Sequence, residues 1–104
     1  MAEIPVQIID SVKKFKENIK SELAVKKVIL FGSYAKGRYS ENSDIDVCVI
    51  AENVDNNYLA MLQIAPKVID IDLRIEPVVF SDKEFNEKKV YGLLKEIKNY
   101  GVEI

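Results

Sequence analysis

Hydrophobic and polar positions along the chain change period several times, and each change marks an element. Over residues 5–23, Ile8, Val12, Phe15, Ile19 and Leu23 recur at spacings of three and four, the signature of an amphipathic helix. The positions between them carry Lys13, Lys14, Lys16, Glu17, Lys20 and Glu22, a solvated face, and Pro5 suits a first helical turn. Val28-Ile29-Leu30-Phe31 is an apolar run of strand length, broken by Gly32-Ser33. Tyr34-Ala35-Lys36 can open a helical turn, and residues 37–43 are polar and turn-prone. Ser43-Asp44-Ile45-Asp46 then leads into a second apolar run, Val47-Cys48-Val49-Ile50. Residues 55–65 read as a helix with Tyr58, Leu59, Leu62 and Ala65 as its apolar side, capped by Asp55 or a nearby Asn and ended by Pro66. Over residues 68–77, Ile69, Ile71, Leu73 and Ile75 alternate with Asp70, Asp72, Arg74 and Glu76, the clearest strand pattern in the chain. Ser81-Asp82-Lys83-Glu84 is a capping box, and Phe85, Val90, Leu93, Leu94 and Ile97 follow at helical spacing with a break near Lys88 or Gly92. Gly101 is a helix stop, and residues 102–104 can add an edge strand. The pattern predicts an α+β domain with a small mixed sheet built on strands at residues 27–31, 44–50 and 68–79. Helices are expected to cover one face and leave the other open for a site.

Two stretches carry chemistry. In a strand, Asp44 and Asp46 point to one face while Ile45, Val47 and Val49 point to the other. Two carboxylates side by side at the mouth of a buried strand repel each other, and a divalent cation is the usual reason to keep them there. Their hard oxygen ligands suit magnesium, which takes one or two carboxylates and completes its shell with water and substrate phosphates. Upstream, Gly32 ends a strand where the N–H groups of a helix start can hold an anion. A metal pair and a phosphate cradle on adjacent segments amount to nucleotide chemistry. Ser33, with a hydroxyl and an N–H toward the cradle, is a phosphate-binding candidate whose simpler role is a helix N-cap. Lys36 and Arg38 can neutralise triphosphate charge, or be no more than an exposed basic pair beside a turn.

Composition narrows the partners. A chain of 104 residues, 48% apolar and 31% charged, is one globular domain. A net charge of −2 without a dense basic tract argues against a stand-alone nucleic-acid binder. There is no apolar run of membrane-spanning length, and a lone cysteine makes a reducing cytoplasm the default compartment. Cys48 lies one step beyond Asp46 on the same face, a small buried apolar residue. Without histidine, the commonest general base and zinc ligand are absent.

The run G-S-Y-A-K-G-x5-S-D-I-D-V, Gly32 to Val47, closely resembles the signature of the nucleotidyltransferase superfamily that includes DNA polymerase beta, and in particular its minimal nucleotidyltransferases. D-L-R-I-E-P-V-V-F, from Asp72 to Phe80, resembles one subgroup of these. Lys36 stands where related chains often have Arg, which keeps the charge. The resemblance implies the palm-like fold and transfer of a nucleoside monophosphate, AMP from ATP, to a hydroxyl with loss of pyrophosphate. It implies two magnesium ions held by Asp44 and Asp46, with a third carboxylate holding only one of them and helping to take the acceptor's proton. Asp72 fits that third position best, while Asp70 and Glu76 remain open because strand register decides. Gly32, Ser33, Lys36 and Arg38 would serve the phosphates. Relatives of this size pair with a small helical HEPN protein as toxin and antitoxin, the nucleotidyltransferase being the antitoxin that transfers AMP to a tyrosine of the toxin. The partner is expected to supply the acceptor that larger relatives hold with extra domains. Two other readings stay open: a non-catalytic module binding nucleotide or partner, and nucleotidyl transfer to a small molecule or RNA end.

Overall fold

The computed structural model describes residues 3–104. The first helix, α1 (Val6–Ile19), buries Ile8, Val12, Phe15 and Ile19, the stripe that the sequence spacing predicts. It leads into β1 (Ala24–Phe31), which starts earlier than its apolar run and carries a register irregularity at Val25/Lys27. A single turn, α2 (Ser33–Lys36), follows and closes on Gly37 in the left-handed conformation. The next strand, β2 (Ile45–Glu52), runs antiparallel to β1, with Leu30 opposite Val47 and Phe31 opposite Asp46. Then come α3 (Asn57–Ile64), capped by the Asn56 side chain, and a 3-10 turn (Ala65–Val68) that carries Pro66. The third strand, β3 (Ile75–Ser81), lies parallel to β2. Ser81 and Glu84 form the expected capping box of α4 (Asp82–Phe85), and after a break α5 (Gly92–Tyr100) runs to Gly101. The tail adds β4 (Val102–Glu103) antiparallel to β1, giving a mixed sheet of order β3-β2-β1-β4.

β2 is apolar almost throughout because both of its faces are covered. Ile45, Val47 and Val49 join Val28, Leu30, Ile75 and Val79 in a core closed by α1 and α3. Cys48 and Ile50 join Ile29 and Phe31 in a second core closed by Phe85 of α4 and Leu94 and Ile97 of α5. The expected α+β mixed sheet is observed, but helices pack on both faces rather than one. The break before Gly92 is what lets α5 fold back over the second face.

The expected strand at residues 68–79 begins only at Ile75. Its first half is a series of turns, closed by hydrogen bonds from Ile69 N–H to Pro66 C=O and from Ile71 and Asp72 N–H to Val68 C=O. These donors are satisfied locally and cannot serve a ladder. Ile69 and Leu73 are accordingly exposed, at 67% and 75%.

Candidate active site

Three neighbouring backbone segments meet at the site. Phe31 pairs with Asp46, which places the turn at Gly32 beside that carboxylate, and on its other side Asp46 pairs with Glu76. Adjacent strands lie about 5 Å apart, so the Gly32 turn, Asp46 and Glu76 form a row across the sheet. Alternation puts Asp46 on the face of Cys48 and Ile50, and Glu76 on the face of Val78 and Phe80, so both point toward the α5 layer. Asp44, just before β2, is exposed, Asp46 is half-buried and Glu76 is exposed.

Gly32 has φ +74°, and a Cβ there would run into the Asp46 carboxylate. Only glycine allows the chain to turn this close to the acid. Burial, and then the negative charges of Glu76, Asp44 and Glu96, push the Asp46 pKa up from its ordinary value. None of Asp44, Asp46 and Glu76 is ion-paired with a lysine or arginine among the described residues. One step deeper on β2, Cys48 is fully buried and its thiol is pushed up to about 12, an inert core residue.

Asp72 is not brought to this row. It sits in the turn before β3, where its carboxylate grips Arg74 Nη2 at 2.7 Å and Nε at 3.1 Å and accepts the Arg74 N–H at 2.9 Å. That guanidinium lowers the Asp72 pKa. Arg74 also donates to the Tyr34 hydroxyl at 3.2 Å and the Glu41 carbonyl at 2.8 Å, tying residues 37–44 to the start of β3. Asp70 is exposed in the preceding turn.

Of the phosphate candidates, Gly32 is the N-cap residue of α2, and Ser33, its first helical residue, has no capping role. Lys36 is held by Glu96 of α5 at 2.6 Å. Lys36 and Arg38, with Tyr100, line a cavity of about 410 Å³. Glu96 and Tyr100 were not legible as site residues, because nothing local in the sequence says which helix covers the second face. A second cavity, about 440 Å³, opens on α1 beside the stacked rings of Tyr34 and Tyr39 and contains none of the site acids.

Among the described residues, no three acidic side chains stand close enough to form a ready-made cation cage. A magnesium ion does not need one, since it keeps several waters and takes one or two carboxylates plus phosphate oxygens. Uncompensated carboxylates around the turn at Gly32 are a donor set that fits it.

Comparison with known proteins decides the family: the family model described as "Nucleotidyltransferase domain" matches residues 12–104. The chain belongs to the nucleotidyltransferase family. The relative from Methanocaldococcus jannaschii named "Putative protein adenylyltransferase MJ0141" is 34% identical over 95% of this chain and all of its own length. A second from the same organism, "Putative protein adenylyltransferase MJ0604", is 38% identical over 75% of this chain and 78% of its own. Among solved structures, a toxin–antitoxin with AMP-PNP superposes with a TM-score of 0.66 at 24% identity, covering 88% of this chain and 69% of that one. A crystal structure described as "a putative nucleotidyltransferase from Sulfolobus solfataricus" gives a TM-score of 0.60 at 20% identity, covering 95% of this chain and 86% of that one. At these identities the structures establish a shared fold. In this nucleotidyltransferase Asp44 stands just before β2 and Asp46 on it, with Gly32 on the adjacent turn.

Proposed function

We propose that this nucleotidyltransferase transfers AMP from ATP to a hydroxyl group of a partner protein in a magnesium-dependent reaction, with Asp44, Asp46 and Glu76 as its three working carboxylates. The observation that carries the reading is the row across three adjacent segments, the Gly32 turn, Asp46 and Glu76. Glu76 takes the third position in place of Asp72 because it stands directly opposite Asp46, whereas Asp72 is committed to Arg74. Asp44, Asp46 and Glu76 would hold magnesium, which when bound neutralises the triphosphate and lowers the pKa of the attacking hydroxyl. The bare backbone at Gly32 admits the β- and γ-phosphates, Ser33 hydrogen-bonds them, and Lys36 and Arg38 balance their charge. The acceptor oxygen bonds to the α-phosphorus as the bond to pyrophosphate breaks, and Glu76 takes the hydroxyl proton and passes it to solvent.

A protein acceptor is supported by the names of the relatives from Methanocaldococcus jannaschii. The toxin–antitoxin assemblies among the fold neighbours support a toxin as that partner. A tyrosine of a small helical HEPN protein is the acceptor that the family resemblance implies.

The test uses ATP labelled at the α-phosphate, with magnesium, in extract of the source cells. Wild type should label one protein band. Asp44→Asn, Asp46→Asn and Glu76→Gln should each lose about 100-fold or more, the scale on which removing one electrostatic anchor of a transition state acts. Asp72→Asn should retain most of the labelling. Label in RNA or a small molecule instead of protein would move the acceptor, and no label in any fraction would end the enzymatic reading.

A further inference from the structure

Tyr100 is a large aromatic side chain left 61% exposed at a place where the backbone is unusually well fixed. It is the last residue of α5, and the Gly101 N–H bonds back to the Ile97 carbonyl at 2.8 Å. A Cβ at Gly101 would meet the Ile29 side chain and the Ile97 carbonyl, so the chain turns there in contact with β1. Immediately afterwards Val102 and Glu103 pair with Leu30 and Ile29, and the Ile104 N–H bonds the Val28 carbonyl at 2.9 Å. The chain that follows Tyr100 is thus anchored to the strand that runs into Gly32.

Its surroundings are basic. The Lys36 ammonium lies 5.6 Å from the centre of the Tyr100 ring, and Lys36, Arg38 and Tyr100 together line the cavity of about 410 Å³. Glu96 holds Lys36 through one contact, and an ammonium has three protons to donate. Arg38 is exposed and makes no ion pair among the described residues. One unpaired guanidinium and one ammonium with protons to spare, beside a solvent-facing ring, suit a ligand that is anionic at one end and flat at the other. A nucleoside triphosphate is such a ligand, because every base presents a π-face that an aromatic side chain can stack on.

We propose that Tyr100 is the stacking platform for the nucleobase of the triphosphate substrate, with Lys36 and Arg38 between it and the phosphate-facing turn. The proposal rests on the nucleotidyl-transfer reading and adds to it where the base lies. Tyr100 is a binding residue in this role, so its loss raises KM and leaves kcat within about twofold. Purines, with the larger stacking face, bind more tightly than pyrimidines.

The experiment is calorimetric titration of the full chain, in magnesium, with ATP, CTP and inorganic tripolyphosphate, for wild type, Tyr100→Phe and Tyr100→Ala. Base–aromatic stacking predicts that Tyr100→Ala weakens ATP binding by about 5- to 100-fold. Tripolyphosphate affinity should be unchanged in that variant, and Tyr100→Phe should behave as wild type. ATP binding undiminished in Tyr100→Ala overturns the platform and leaves the nucleotidyl-transfer reading standing. Equal loss of ATP and tripolyphosphate overturns it as well, because it marks a structural role for the helix end. Label found on Tyr100 itself after incubation with α-labelled ATP makes the residue an acceptor and also overturns it. If wild type binds neither ATP nor tripolyphosphate, the nucleotidyl-transfer reading fails and the platform with it.

Discussion

Gly32 and Asp46 constrain each other. Replacing Gly32 with alanine puts a methyl group into the space of the Asp46 carboxylate and holds a non-glycine residue at φ +74°. The backbone strain alone costs about 1 kcal/mol or more. Gly32→Ala should therefore lower the melting temperature and abolish transfer together, as read by thermal unfolding and the labelling assay. Asp46 makes a prediction of opposite sign for stability. Its pKa is raised in the folded protein, so as pH rises above the ordinary aspartate value of 3.8 the unfolded chain releases its proton first. Over that window the unfolded state binds fewer protons than the native state, and stability falls with increasing pH. Asp46→Asn removes the penalty and should melt higher than wild type at neutral pH, an advantage that disappears below the ordinary aspartate pKa. Magnesium should raise the melting temperature of wild type and leave that of Asp46→Asn nearly unmoved, since an ion stabilises only the state that binds it.

At the scale of elements, the turn before β3 is held by one side chain. Arg74 grips Asp72, the Tyr34 hydroxyl and the Glu41 carbonyl, so it fastens the segment bearing Arg38 to the sheet. Arg74→Ala should cost about 1 kcal/mol, given that the group is partly exposed. It should raise the KM for ATP more than it lowers kcat, a split that steady-state kinetics would resolve. This turn is also where the sequence was least legible. The helical stripe of α1, the capping box at Ser81 and the pairing of a glycine turn with Asp44 and Asp46 are local patterns, and each can be read directly from residue spacing. The alternation from Ile69 to Glu76 is local too, but turns closing on Pro66 and Val68 satisfy the same residues without a partner strand. Which acid stands opposite Asp46 depends on the register between β2 and β3, information that spacing within one segment does not hold. Glu96 reaches the site from a different layer and left no mark in the pattern.

At the scale of the whole molecule, both faces of the sheet are covered and the site lies at one end of the face beneath α5. The covering of that face depends on the chain turning at Gly101 and pairing β4 with β1. Gly101→Val would drive a branched side chain against Ile29 and the Ile97 carbonyl, and overpacking of this kind costs about 1–3 kcal/mol. Its expected signature is a lower melting temperature with weakened ATP binding, measured by thermal unfolding and calorimetry. The row of Gly32, Asp46 and Glu76 has one more consequence, which concerns cooperativity. Its members come from three segments, and the parallel β2–β3 pairing closes a loop that contains the whole of α3 and the following turns. The β1–β2 hairpin alone lacks Glu76, so a molecule that opens locally at the β2–β3 seam should be as inactive as an unfolded one. Amide hydrogen exchange at Val47 and Val78 should then report the same opening free energy as the loss of catalytic competence.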